Sequence, residues 1–174
     1  MAMDPNKLPR RALIDSTVLT RALQDQAPDA DTPVCVEFWD DMLASGRRML
    51  IAAPTIAEII RLNASRTIPR TPQVAVVAFD AVAAELLGRN LPIAQLKSLA
   101  DAEGHNLTYY KYDAMIAACG ARHRAECVVT LDRGFAKLGP PLGIDIRHPS
   151  DFEDSQQSMR FGGTYFPTPT PAKK

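Results

Sequence analysis

Neither sign of charge is in excess: Lys and Arg together number 20, and so do Asp and Glu, in a chain of 174 residues. That balance excludes a protein that coats nucleic acid through its overall charge. Any polyanionic partner has to be met by a local basic patch. Cysteine is scarce. Cys35, Cys119 and Cys127 lie in apolar stretches, show no metal-ligand spacing and leave one thiol over if two pair, so they read as reduced core residues of a cytoplasmic protein. His105, His123 and His148 also lack ligand spacing and read as surface or hydrogen-bonded histidines, which argues against a zinc centre built from His and Cys. No apolar run approaches membrane-spanning length, and the first residues carry no signal-peptide core, so no membrane partner is expected. No internal repeat is visible. What is present is a hydrophobic fraction of 46%, enough for a substantial core, in a length that suits one globular domain.

Short apolar segments alternate with helical periodicity along the chain. Residues 11–14, 49–52, 126–131 and 143–146 read as strands, with 91–93 as a further short one. Residues 17–23, 34–45, a segment carrying Glu58, Ile59 and Leu62, 73–88, 94–102 and 110–123 read as helices. On the last of these, Asp113, Ile116, Ala117, Gly120 and Ala121 share a face whose small residues permit close packing. Strands alternating with helices indicate α/β architecture with a mainly parallel sheet, in which ligands bind outside the carboxyl ends of strands. The expected organisation is an extension over 1–9, a domain over 10–152 and a disordered Pro-rich tail over 153–174.

Four carboxylates stand where the chain passes from strand to helix or enters a helix: Asp15, Glu58, Asp113 and Asp132. Each has an ordinary explanation. Asp15 suits a helix cap, Thr55-x-x-Glu58 fits a capping box, Asp113 reads as a first-turn acid facing the helix dipole, and Asp132 before Arg133-Gly134 suits a turn. Their order along an α/β chain has a second explanation, convergence at one edge of the sheet. Two like charges about 4 Å apart interact by roughly 1 kcal/mol in water and about 4 kcal/mol at an effective dielectric of 20. Four acids in one cleft would therefore raise their own pKa values unless a cation sat among them. Oxygen-only ligands favour Mg²⁺ or Mn²⁺, and a cation held this way suits phosphodiester chemistry. Ser16 and Thr130 are candidates to position a carboxylate or a water. Arg61, Lys111 and Arg133, with Arg10, Arg11, Arg66 and Arg70 further off, are candidates to neutralise a phosphate. Tyr109 and Tyr110 are candidates to stack on bases, with packing as the alternative.

The ordered segments resemble the motifs of PIN-domain nucleases. Asp15-Ser16 with Val18-Leu19 resembles their first motif, Thr55 to Glu58 with Ile59 their second, Asp113-Ala-Met-Ile-Ala-Ala118 their third and Thr130-Leu-Asp132-Arg-Gly-Phe135 their fourth. The segment from Ile144 to Phe152 resembles the family's last strand and its exit. Two departures stand out: Thr17 where many members carry Asn, and Gly134 where some carry a further acid. The resemblance implies a three-layer α/β/α domain that cleaves RNA with Mg²⁺ or Mn²⁺. Asp15, Glu58, Asp113 and Asp132 would be its catalytic acids, Asp15, Asp113 and Asp132 its metal-holding set, and Arg61, Lys111 and Arg133 its RNA contacts. In size and motif order the chain is similar to VapC-type toxins, which implies a homodimer and a cognate antitoxin. Two other readings are a catalytically silent RNA- or protein-binding module on the same fold, and an aspartyl-phosphate protein. The latter is disfavoured because Asp15 is followed by Ser-Thr-Val rather than by a second Asp after one residue.

Overall fold

β1 (Arg11–Ile14), β2 (Arg48–Ala52), β3 (Val74–Val77), β4 (Cys127–Val129) and β5 (Asp145–Arg147) form one sheet in the order β3-β2-β1-β4-β5, and every neighbouring pair is parallel. The structure, a computed structural model, describes residues 3–23, 28–104 and 106–154. Most of the tail expected over 153–174, and His105, lie outside the described residues. The helices are α1 (Ser16–Ala22), α2 (Thr32–Ala44), α3 (Ala53–Leu62), α4 (Ala81–Asn90), α5 (Ile93–Glu103), α6 (Leu107–Arg122) and the short α7 (Gly139–Leu142). Among the described residues no helix is long and apolar enough to cross a membrane.

Period-2 alternation divides the strands between two cores, one on each side of the sheet. Leu13, Leu50, Ala52 and Val128 face the side that carries Leu91, Leu96, Ala114, Ile116 and Ala117. Ala12, Ile14, Met49, Ile51, Cys127 and Val129 face the side that carries Val18, Leu19, Phe38, Trp39 and Ile59. Strands buried on both faces explain why β1, β2 and β4 read as unbroken apolar runs rather than alternating ones. α6 lies against the sheet at Gly120, where an added Cβ would come within 2.6 Å of Ile144 Cδ1 and 3.4 Å of Val128 Cγ2. The small residues on this helix thus set how near Asp113 comes to the strand ends.

From β1 the chain builds outward through β2 to β3 on one side, then returns past β1 to lay down β4 and β5 on the other. The order therefore reverses between β1 and β4, and the crevice outside their carboxyl ends is where ligands bind in open parallel sheets. Asp15 follows β1 directly and Asp132 lies just beyond β4.

The structure corrects four sequence expectations. Residues 73–88 are not one helix. The β-branched run Val74-Ala-Val-Val77 pairs with β2, and a new helix begins where Asp80 caps it by accepting the Ala83 N–H. Residues 91–93 are not a strand: Leu91 is buried, and Pro92 caps α5. Thr55 is not a cap, because α3 already starts at Ala53 with Pro54 in its first turn, and that places Thr55 inside the helix. Asp113 is not in a first turn either. Asn106 caps α6, accepting from Thr108 N–H, and Asp113 stands well inside the helix, beyond the end of the favourable dipole. The capping box and the dipole both vanish as explanations of Glu58 and Asp113.

Other expectations find simple structural roles. The three cysteines are free and buried, with burial pushing their thiols up to about 12, 11 and 12 for Cys35, Cys119 and Cys127. His123 Nε2 lies 3.1 Å from the Ala78 carbonyl, and His148 takes part in a capping box with Asp151. The N-terminal residues are tied to the domain: Met3 bridges to Glu153, Asp4 N–H donates to the Phe152 carbonyl, and Met3 and Leu8 are buried.

Candidate active site

Asp15 is the best-anchored acid. It is 2% exposed and caps α1. Its Oδ2 accepts from the Thr17 hydroxyl at 2.7 Å and the Thr130 hydroxyl at 2.9 Å, with a longer contact from Thr17 N–H at 3.4 Å. Both hydroxyls are also acceptors: Leu131 N–H donates to Thr17 Oγ1 at 3.2 Å, and Asp132 N–H to Thr130 Oγ1 at 2.9 Å. Each hydroxyl has one proton, and both protons are directed at Asp15, so the carboxylate ties the end of β1 to the end of β4 across the reversal point of the sheet. Burial raises the Asp15 carboxyl above its ordinary value, against the pull of these hydrogen bonds.

Glu58 enters from α3 and is half-buried. Burial raises its carboxyl. A hydrogen bond from the Ser16 side chain and the charge of Arg61 oppose the rise, and the charge of Asp15 adds to it. Asp113 comes from α6 and shows the largest effect. Burial, then the charges of Asp15, Asp132 and Glu58 in that order, push its carboxyl up to about 8. Asp132 is exposed, and its Oδ1 accepts from Gly134 N–H at 2.7 Å, capping a 3-10 turn over Arg133–Lys137.

All four acids line one cleft of about 820 Å³. Ser16, Thr17, Arg61, Leu62, Asn106, Tyr109, Tyr112 and Gly134 are also in its wall. Of the three cations singled out in the sequence, Arg61 lines the cleft, whereas Lys111 and Arg133 are exposed outside its lining. Arg11 and Arg66 hydrogen-bond to the carbonyls of His123 and Leu23. The Ser16 side chain hydrogen-bonds to Glu58, and the Thr130 hydroxyl donates to Asp15. Thr17 escaped the sequence reading except as a departure from the resembling motif, although a hydroxyl two residues after a capping Asp is itself a signal. Tyr112, Asn106 and Leu62 carried no signal, because exposure is a tertiary property.

The donor set is all oxygen, and the acids destabilise one another's ionised forms. Both properties fit a hard divalent cation. Among the described residues, no group of three or more His, Cys, Asp or Glu side chains already stands in a geometry to hold one.

No family model matches the chain, and no curated protein matches it. Solved structures do. A chain in a structure described as FitAB bound to an IR36 DNA fragment matches with a TM-score of 0.51 and 18% identity, over 83% of this chain and 99% of that one. A chain in the structure of VapBC2 from Rickettsia felis bound to a DNA fragment from their promoter matches with a TM-score of 0.49 and 10% identity, over 79% and 98%. The first likeness shows a shared fold, and the architecture is the three-layer PIN-like one implied by the four motifs.

Proposed function

We propose that this chain is a Mg²⁺- or Mn²⁺-dependent endoribonuclease, the toxin of a toxin–antitoxin pair. The observation that carries the reading is that Asp15, Glu58, Asp113 and Asp132 line the same cleft. Four acids from four separate segments share one cleft, where mutual repulsion favours a cation. A divalent cation there would activate a water for attack and neutralise charge developing on the phosphate. Mg²⁺ commonly uses only one or two carboxylates and keeps several waters, so a closed protein cage is not required.

The protein's own contribution is positioning. Thr17 and Thr130 fix Asp15, Ser16 orients Glu58, and the Gly134 N–H fixes Asp132. Asp15, Asp113 and Asp132 would hold the ion, with Glu58 orienting the attacking water. Arg61, on the cleft wall, would meet a substrate phosphate, and Lys111 and Arg133 would contact the RNA strand beyond the cleft. A cognate antitoxin and a homodimer come from the motif resemblance. The fold shared with a chain solved as FitAB on DNA is in keeping with a partner protein.

The test is cleavage of single-stranded RNA by the purified protein. Cleavage with added Mn²⁺ or Mg²⁺ that stops in EDTA is the expected result, and cleavage unchanged by EDTA would sink the metal mechanism. No cleavage under any cation would favour the second reading, a silent binding module on this fold.

Thr17→Val tests the positioning directly. The substitution keeps the shape but removes a donor to Asp15 and the acceptor of Leu131 N–H. Leaving such buried partners unmade costs about 1–3 kcal/mol, and loosening a residue that orients a metal-site carboxylate typically costs about 10–100-fold in metal affinity or activity. Thr17→Ser keeps the hydroxyl and should retain most activity. Melting curves and cleavage rates of the two variants check this, and equal rates for Val and Ser would show that the hydroxyl positions nothing.

A further inference from the structure

We propose that Tyr109 and Tyr112 form a stacking platform for unpaired nucleobases, a subsite of the acidic cleft that makes an unpaired strand, not a duplex, its substrate. The inference rests on the nuclease reading above and deepens it.

The two tyrosines are three residues apart on α6, a spacing that puts them on one side of the helix. Both line the cleft that holds the four acids. Tyr109 is 69% exposed and Tyr112 38% exposed, whereas Tyr110 between them is 2% exposed and belongs to the core. The helix is thus anchored by Tyr110, Ala114 and Ala117, and the other two rings are left on the cleft wall. Rings so exposed contribute little to the packing of the core. Asp113 follows Tyr112 directly, so the platform shares a helix with one of the four acids and a cleft with all of them.

Charge makes such a platform necessary. The cleft is lined by four carboxylates, and among the described residues Arg61 is the only Lys or Arg in its lining. Apart from a bound cation, Arg61 alone in that lining can meet the phosphates of a polyanionic strand. Stacking on an aromatic face is indifferent to charge and to sequence, and contributes about 1–3 kcal/mol per base. Bases inside a duplex are already stacked on each other and cannot use it. The cleft wall combines apolar surface from Leu62 and Phe135 with the polar side chains of Arg61, Asn106 and Thr108. That suits a nucleotide, with its apolar face and polar edge, better than the apolar side chains of a docked peptide.

The test is binding measured by fluorescence anisotropy, with Ca²⁺ present, of three labelled probes: a short oligouridylate, an abasic ribose-phosphate strand of equal length, and an RNA hairpin stem. Tyr109→Ala and Tyr112→Ala should each weaken oligouridylate binding by about tenfold. Tyr109→Phe and Tyr112→Phe should bind like the wild type, because the ring and not the hydroxyl is used. The abasic strand should bind the wild type and the Ala variants alike, and the stem should bind the wild type more weakly than the oligouridylate. Oligouridylate binding unchanged in both Ala variants overturns the platform, as does a Phe variant that loses as much as the Ala variant, or an equal loss on the abasic strand. If the wild type cleaves RNA with Mn²⁺ while the Ala variants bind normally, the platform falls and the nuclease reading stands. If binding follows the tyrosines but no cation supports cleavage, the platform stands and the nuclease reading falls.

Discussion

Asp113→Asn is expected to reduce RNA cleavage by a hundredfold or more and, in the absence of metal, to raise the melting temperature. Both effects follow from one feature. Burial on α6, and then the charges of three other acids, push the Asp113 carboxyl up to about 8. Its ionised form is what a cation would use, and losing a single group that stabilises developing charge in a site of this kind costs about 10²–10³-fold. The same ionised form is costly to the metal-free fold. Each unit of pKa displacement corresponds to about 1.4 kcal/mol, so a neutral amide of the same shape should recover on the order of a few kcal/mol at pH 8. For a chain of this length that is several degrees in melting temperature, at roughly 2–4 °C per kcal/mol. Activity loss with a lower melting temperature would mean that Asp113 supports the fold rather than a cation. Full activity would mean that the site is misassigned.

The second large effect is a reversal of pH dependence by metal. In the unfolded chain an Asp titrates near pH 4, while folded Asp113 titrates at about 8. Below about pH 4 both states are protonated and no penalty exists. Between about 4 and 8 the native state holds a proton that the unfolded state has released, so stability falls as pH rises. Above about 8 the penalty is complete. Asp15 and Glu58 are raised in the same direction and add to the trend. Metal-free protein is therefore expected to melt progressively earlier between pH 5 and 8 as far as these groups decide it. Mn²⁺ should raise the melting temperature most at the upper end of that window, where the carboxylates are easiest to ionise; ligand at a hundred times its Kd contributes about 2.7 kcal/mol. Melting curves with EDTA and with Mn²⁺ at several pH values measure both trends. A Mn²⁺ effect that is absent, or larger at pH 5 than at pH 8, contradicts the arrangement.

Asp15 and Asp132 could be placed from the sequence because they sit just beyond strand ends, and strand ends are marked by where apolar runs stop. Past Arg11 and Arg48, β1, β2 and β4 are buried throughout, so their apolar runs are unambiguous, and Asp15 and Asp132 inherit that clarity. One assignment failed because burial there is partial. β3 is an edge strand whose Ala75 and Val76 are exposed, and Ala and Val there match a helix as well as a strand; only pairing with β2 decides it. Glu58 and Asp113 looked like helix-terminal acids because the helix starts were placed too late. Proline in the first turn of α3, and Asn106 capping α6 ahead of Tyr109, move both starts upstream. Thr17, by contrast, was present in the motif, but its importance depends on Thr130, more than a hundred residues away. The local spacing of Asp15 and Thr17 marks one of the two hydroxyls on that carboxylate, and the other comes from a distant segment.

Four acids are proposed to form one cation-binding site, whose metal-free form holds an extra proton near neutral pH. Isothermal titration of Mn²⁺ into the protein at pH 7, repeated in buffers of different ionisation enthalpy, tests it most directly. Metal binding releases the protons its ligands carried. The expected result is saturable binding coupled to release of a proton, with the proton release lost and affinity reduced in Asp113→Asn. Binding that is unchanged in Asp113→Asn, or no binding by the wild-type protein, would contradict the account.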